Sequence, residues 1–112
     1  MQKVILDTSF ILTAVRQKID FFDIIEGKGF QVVIPEQVIR ELEGLGAELA
    51  LKIMGMHKFK LIKIEGKDAD AAIIKFAKKN PLAVVATLDE GLKKKIKNSK
   101  MIIRQLKKIE IR

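Results

Sequence analysis

Short β-prone runs and helix-period stretches take turns along this chain from end to end, and that alternation limits its fold more than any other feature. The β-prone runs are Val4–Leu6, Phe30–Pro35, Lys60–Ile64, Ala83–Thr87 and Met101–Arg104. Between them Ser9–Arg16 and Ile19–Glu26 read as two short helices, the second stopped by Gly27-Lys28-Gly29. From Glu36 the period turns helical. Val38, Leu42, Leu45, Leu49 and Ile53 fall close to one helical line, with Gly44 and Gly46 weakening its middle. Asp68 opens a helix to about Lys79, which Asn80–Pro81 ends, and Asp89–Lys97 gives a last short helix. Strand–helix alternation of this kind predicts an α/β fold. It has three layers, α/β/α, with helices on both faces of a central, mostly parallel sheet of about five strands. The closing stretch Lys108–Arg112 can add an edge strand. All 112 residues fit one domain, residues 1–112: 48% are hydrophobic and no Gly/Ser or Pro linker divides them.

Composition removes several classes. Cysteine is absent, so disulfides and thiolate metal sites are excluded, which fits a reducing, cytoplasmic setting. The longest unbroken apolar run is five residues, Leu82–Ala86, far short of a membrane span. Asp7 interrupts the N-terminal apolar stretch, which is therefore not a signal peptide. Many Lys, Ile and Glu with no Cys or Trp lean toward a thermophilic source. The net charge of +8 is unevenly spread. Residues 1–74 carry 10 Lys/Arg against 11 Asp/Glu, a balance of −1, and residues 75–112 carry 12 against 3, a balance of +9. A basic last third suits a polyanionic partner, most simply RNA or DNA, and equally suits a Lys-rich solvated surface.

In open α/β sheets the ligand site lies beyond the carboxyl ends of the strands. Asp7 directly follows the first run, and Asp89 follows the fourth with Leu88 between. On the helices, Glu41 flanks the apolar stripe, and Asp70 precedes Ile73, Ile74 and Ala77 at the head of a face expected to be buried. Each acid also has a structural use. Asp7, Asp68 and Asp89 can cap helices, Thr87–Glu90 has the spacing of a capping box, and wheel geometry does not separate Glu41 from Glu43. Only Asp70 resists such a reading, since a carboxylate on a buried face is costly unless neutralised. Taken together, converging carboxylates repel one another unless a cation sits among them. Oxygen ligands without Cys or a nearby His select Mg2+ or Mn2+, and the single His57 lies in a loop context. An acidic pocket beside a basic flank suits metal-assisted cutting of nucleic acid.

With these acids in place, the chain resembles the PIN-domain ribonucleases over nearly its whole length. Val4–Leu12 is similar to the first PIN motif, which gives Asp7 as an acid and Ser9 as a supporting hydroxyl. Val33–Leu45 resembles the second and selects Glu41 over Glu43, and Lys67–Asn80 resembles the third, with Asp70. Ala83–Lys97 resembles the fourth, with Thr87 supporting and Asp89 as the last acid. Met101–Lys108 points to the archaeal branch near the PIN nucleases of small-subunit ribosomal RNA processing. The resemblance implies a Mg2+- or Mn2+-dependent endoribonuclease with Asp7, Glu41, Asp70 and Asp89 as metal ligands and catalytic acids. It works on single-stranded RNA, either in ribosomal RNA processing with ribosome-assembly partners or as a toxin-like nuclease held by an antitoxin. The family also implies frequent homodimers. Two departures leave one metal or two open: Ala71 stands where the third motif often has a second acid, and Leu88 where the fourth often has Asn or Cys.

For RNA, the candidates are Lys93, Lys94 and Lys97 on the helix headed by Asp89, whose buried side Leu92 and Ile96 should mark, together with Arg104 after the last core strand. Two other readings compete. One is a catalytically weak PIN-fold module that binds RNA within an assembly. The other, a phosphoacceptor receiver domain, wants paired acids after the first strand and a Lys after the last. Here Asp7 is single and Arg104–Gln105 follows the last strand.

Overall fold

The central strand, β1 (Gln2–Leu6), ends in Val4, Ile5 and Leu6, all wholly buried. Three consecutive buried residues mean that both faces of the sheet are covered, as in a parallel sheet between helices. A computed structural model describes residues 1–112 apart from the side chain of Leu106. It contains β2 (Phe30–Pro35), β3 (Lys60–Ile62), β4 (Val84–Ala86), β5 (Lys100–Arg104) and β6 (Lys108–Ile111). The six strands lie in the order β3-β2-β1-β4-β5-β6. All neighbours are parallel except β5 and β6, which run antiparallel from Met101↔Ile111 to Arg104↔Lys108. The closing stretch is thus a sixth, edge strand, entered through a 3-10 turn at Gln105–Lys107.

The helices are α1 (Thr8–Arg16), α2 (Phe21–Gly27), α3 (Glu36–Gly44), α4 (Glu48–Gly55), α5 (Ala69–Lys79) and α6 (Glu90–Lys94). The single helix expected from Glu36 to Ile53 is two. Gly46 takes a positive φ of 66°. The amides of Gly46 and Ala47 turn back to the carbonyls of Glu43 and Leu42, 3.0 and 2.9 Å away. That is a glycine-terminated helix end. It breaks the helical phase, so Leu45 and Leu49 are 65% and 60% exposed instead of continuing the buried stripe of Val38 and Leu42. The helix after Asp89 is likewise shorter than expected: it ends at Lys94, with Lys95 as its C-cap. Leu92 marks its buried side, and Ile96 is buried as well but lies beyond the helix end.

β1 sits between β2, which leads the chain one way along the sheet, and β4, which leads it the other. This is the point where strand order reverses, the place where open α/β sheets put their ligand sites. The amide of Asp7 donates to Ala86 O at 2.9 Å, carrying the β1–β4 pairing one residue past the strand. Asp7 is therefore fixed at that switch point by the sheet itself.

Candidate active site

Asp7 occupies the N-cap position of α1, yet its carboxylate makes no capping bond. Instead Oδ2 accepts hydrogen bonds from Ser9 Oγ and Thr87 Oγ1, each at 2.8 Å. Its Oδ1 accepts none among the described residues. Asp7 is 4% exposed and Thr87 is fully buried. The two hydroxyls lie 3.3 Å apart, and both take backbone amides of the next loop: Leu88 N donates to Ser9 Oγ, and Asp89 N to Thr87 Oγ1, both at 3.1 Å. The amide that reaches Thr87 comes from two residues on, so Thr87 makes a local turn, and the expected capping box with Glu90 does not form. Asp89 itself caps α6, its Oδ1 accepting from Leu92 N at 3.0 Å.

Glu41 is held by two partners that the sequence reading did not identify. Thr8 Oγ1 donates to its Oε1 at 2.9 Å, and the amide of Ala69, the first residue of α5, donates to its Oε2 at 3.0 Å. This bond joins α3 to the start of α5. There Asp68 is the N-cap, accepting from Ala71 N at 2.9 Å, which fits the structural use expected of it. Asp70 has no side-chain hydrogen bond among the described residues and is partly exposed rather than buried. Partial burial, then the negative charges of Asp7, Asp89, Asp68 and Glu41, raise its carboxyl above the ordinary 3.8. Asp70 thus senses every acid singled out from the sequence.

Gln37, one turn before Glu41 on α3, was also missed. It is 4% exposed. Its Nε2 donates to Ile64 O at 2.7 Å and Gly66 O at 3.0 Å, while its Oε1 is buried without a partner. Such an orphan acceptor costs roughly 1–3 kcal/mol. The only sequence signal was a Gln at the second position of a helix that follows a strand-ending proline.

The donor set suits a hard divalent cation: carboxylate oxygens, no thiolate, and His57 stacked on Phe22 at 4.6 Å instead of facing the acids. Among the described residues no three His, Asp or Glu side chains already surround one point. Asp7, Glu41, Asp70 and Asp89 have no basic partner among the described ion pairs, and a cation would relieve the repulsion that raises Asp70.

The basic candidates separate into two kinds. Lys93 Nζ is 2.7 Å from Glu90 Oε2, and Arg104 Nε is 2.8 Å from Glu110 Oε2, so both are already ion-paired. Lys94 and Lys97 are exposed, and among the described residues neither has an acidic partner. Lys97 lies beyond the end of α6, so the helical three-residue spacing to Lys94 does not apply.

Comparison with known proteins adds to this geometry. The pattern of the PIN-like domain matches residues 4–108. The chain is 33% identical to Ribonuclease VapC4 of Methanocaldococcus jannaschii, over 99% of this chain and 97% of that protein. It is 34% identical to the rRNA-processing protein fcf1 of Schizosaccharomyces pombe, over 84% of this chain and 53% of that one, and so spans about half that relative's length. Among solved structures, the PIN domain endonuclease Utp24 overlays with a TM-score of 0.85 at 29% identity, covering 97% of this chain and 90% of that one. A domain of a functionally unknown protein from Methanocaldococcus jannaschii, 17% identical with a TM-score of 0.55, is similar in fold alone.

Proposed function

This chain belongs to the PIN-like domain family, and on that premise we propose that it is a divalent-metal-dependent endoribonuclease. The observation that carries the reading is Asp7. It is a helix N-cap whose carboxylate is turned from the helix and locked by two hydroxyls at the switch point of the sheet. A residue needed only to end a strand and start a helix would have spent that carboxylate on the helix amides.

In this reading Asp7, Glu41, Asp70 and Asp89 hold Mg2+ or Mn2+. When bound, such an ion supplies an activated water and positive charge at the scissile phosphate. Ser9 and Thr87 set the orientation of Asp7. Thr8 and the amide of Ala69 do the same for Glu41, so the two acids are positioned before substrate arrives. Asp70, without hydrogen bonds of its own, is the acid free to adjust. Lys94 and Lys97 are the cations open to an RNA backbone. Lys93 and Arg104 reach phosphate only by giving up Glu90 and Glu110. The relatives named for ribonuclease activity and for rRNA processing support RNA as the substrate. They leave two settings, a toxin held by an antitoxin and an enzyme of ribosome assembly.

A second reading, an RNA-binding module of weak activity, is favoured by the absence of three converged acids among the described residues. One experiment separates the two. The purified chain, given single-stranded RNA with Mg2+ or Mn2+, should cut it, a chelator should stop the cut, and Asp7→Asn should abolish it while the circular dichroism spectrum is kept. Cleavage by Asp7→Asn at the wild-type rate sinks the metal-site reading. RNA binding without metal-dependent cleavage selects the binding module.

A further inference from the structure

The structure carries one buried polar group that the proposed chemistry does not use, the carboxamide of Gln37. Its NH2 is spent twice, on Ile64 O and on Gly66 O, at 2.7 and 3.0 Å. Its carbonyl is sealed without a partner. An apolar side chain of the same shape would avoid that cost, so burying an amide here is explained by its two donors rather than by the stability of the core.

Those donors hold the segment that delivers Asp70. Ile64–Gly66 leads directly into Asp68 and α5. Gly66 lies hard against the first turn of that helix: a Cβ there would stand 2.7 Å from Ala72 N and 3.1 Å from Ala71 C. Gln37 and Glu41 are one turn apart on the same face of α3. Glu41 takes the amide of Ala69 while Gln37 takes the two carbonyls just upstream. One face of α3 therefore grips the entry to α5 at three points, and the place of Asp70 beside Glu41 follows from that grip.

We propose that Gln37 is a positioning residue, a strap that fixes the start of α5 so that Asp70 meets Glu41 and Asp7 at the cation site. This rests on the metal-site reading above. Because Gln37 touches neither substrate nor ion, its effect should fall on cation affinity and not on RNA binding. Because its orphaned carbonyl leaves with it, the cost of losing its two hydrogen bonds should be partly offset. Hydrogen bonds made directly to a metal ligand change its affinity by roughly 10–100-fold, and Gln37, which acts through the backbone ahead of Asp70, should fall at the lower end of that range.

The test is Mn2+ binding by the protein without RNA, followed by electron paramagnetic resonance of the free ion, for wild type, Asp7→Asn, Gln37→Met and Gln37→Ala. Wild type should bind and Asp7→Asn should not. Gln37→Met should melt close to the wild-type temperature, bind Mn2+ up to about tenfold more weakly, and keep the wild-type KM for RNA at saturating Mn2+. Gln37→Ala, whose gap solvent can enter from the groove beside Arg40 and Lys63, should show the same loss and guards against a folding defect peculiar to Met. Wild-type Mn2+ affinity in either Gln37 variant overturns the strap alone. So does a loss of affinity that only tracks a lowered melting temperature. A wild-type chain that binds no Mn2+ overturns the metal-site reading and the strap with it.

Discussion

Asp70 carries the clearest mark of crowding at the level of single residues. Its carboxyl is raised above 3.8 by burial and by four neighbouring acids. A raised folded-state value means that the folded chain holds this proton more tightly than the unfolded chain. Stability from this group is therefore full below about pH 3.8 and falls as pH climbs through the raised value. Urea unfolding of the metal-free protein across mildly acidic pH should show that fall, Asp70→Asn should flatten it, and Mg2+ should restore wild-type stability at neutral pH. A fall of equal size in Asp70→Asn means that another group is responsible. Asp7, Asp70 and Asp89 were legible because they stand after strand ends or at helix starts, positions that any βα pattern marks, whereas Glu41 lies mid-helix and only the family resemblance separated it from Glu43. The hydrogen-bond partners of these acids were not legible. Thr8 looks like one more helix-start residue until α3 is packed beside it, and Gln37 has no periodicity that separates it from an exposed helix Gln. Such roles depend on contacts made 27 to 33 residues away.

Among the elements, the two helix ends at residues 17–19 and 45–47 solve the same problem with different residues. After α1, Lys18 has a φ of 59°, and the amides of Lys18 and Ile19 bond back to Val15 O and Ala14 O at 3.0 and 2.9 Å. After α3 the equivalent place is Gly46. A side chain in the left-handed region costs about 1 kcal/mol or more. Lys18→Gly should therefore stabilise the protein by about 1 kcal/mol, raising its melting temperature by about 4 °C. An unchanged or lower melting temperature means that the Lys18 side chain has a compensating contact. The same comparison shows why element existence was easier to read than element length. Gly46 was visible and its weakening effect expected, but the return of the helix as α4 with Leu45 and Leu49 outside depends on one backbone angle. Likewise Lys97 fits a helical face only if α6 runs past Lys94, and nothing local in Lys93-Lys94-Lys95 marks the stop.

Across the whole molecule, charge and topology divide the labour. The first 74 residues supply Asp7, Glu41 and Asp70 with a balance of −1, and the last 38 supply Asp89 and a balance of +9. If Lys94 and Lys97 carry RNA, each contact to a single strand adds about 0.7 to the slope of log affinity against log salt. The double change of both to Gln should then flatten that slope by up to about 1.4. Filter binding across a salt series measures it, and an unchanged slope clears Lys94 and Lys97 of contact with RNA. The hydrogen bond from Thr87 to Asp7 joins residues 80 apart in sequence. For a chain that cuts RNA, that separation acts as a clock. During synthesis Asp7 waits without its second hydroxyl, without its strand partner β4 and without Asp89 until some 80 further residues have been made. On the proposed reading, a nascent chain that lacks Thr87, β4 and Asp89 has no complete acid site to turn on the ribosome that builds it.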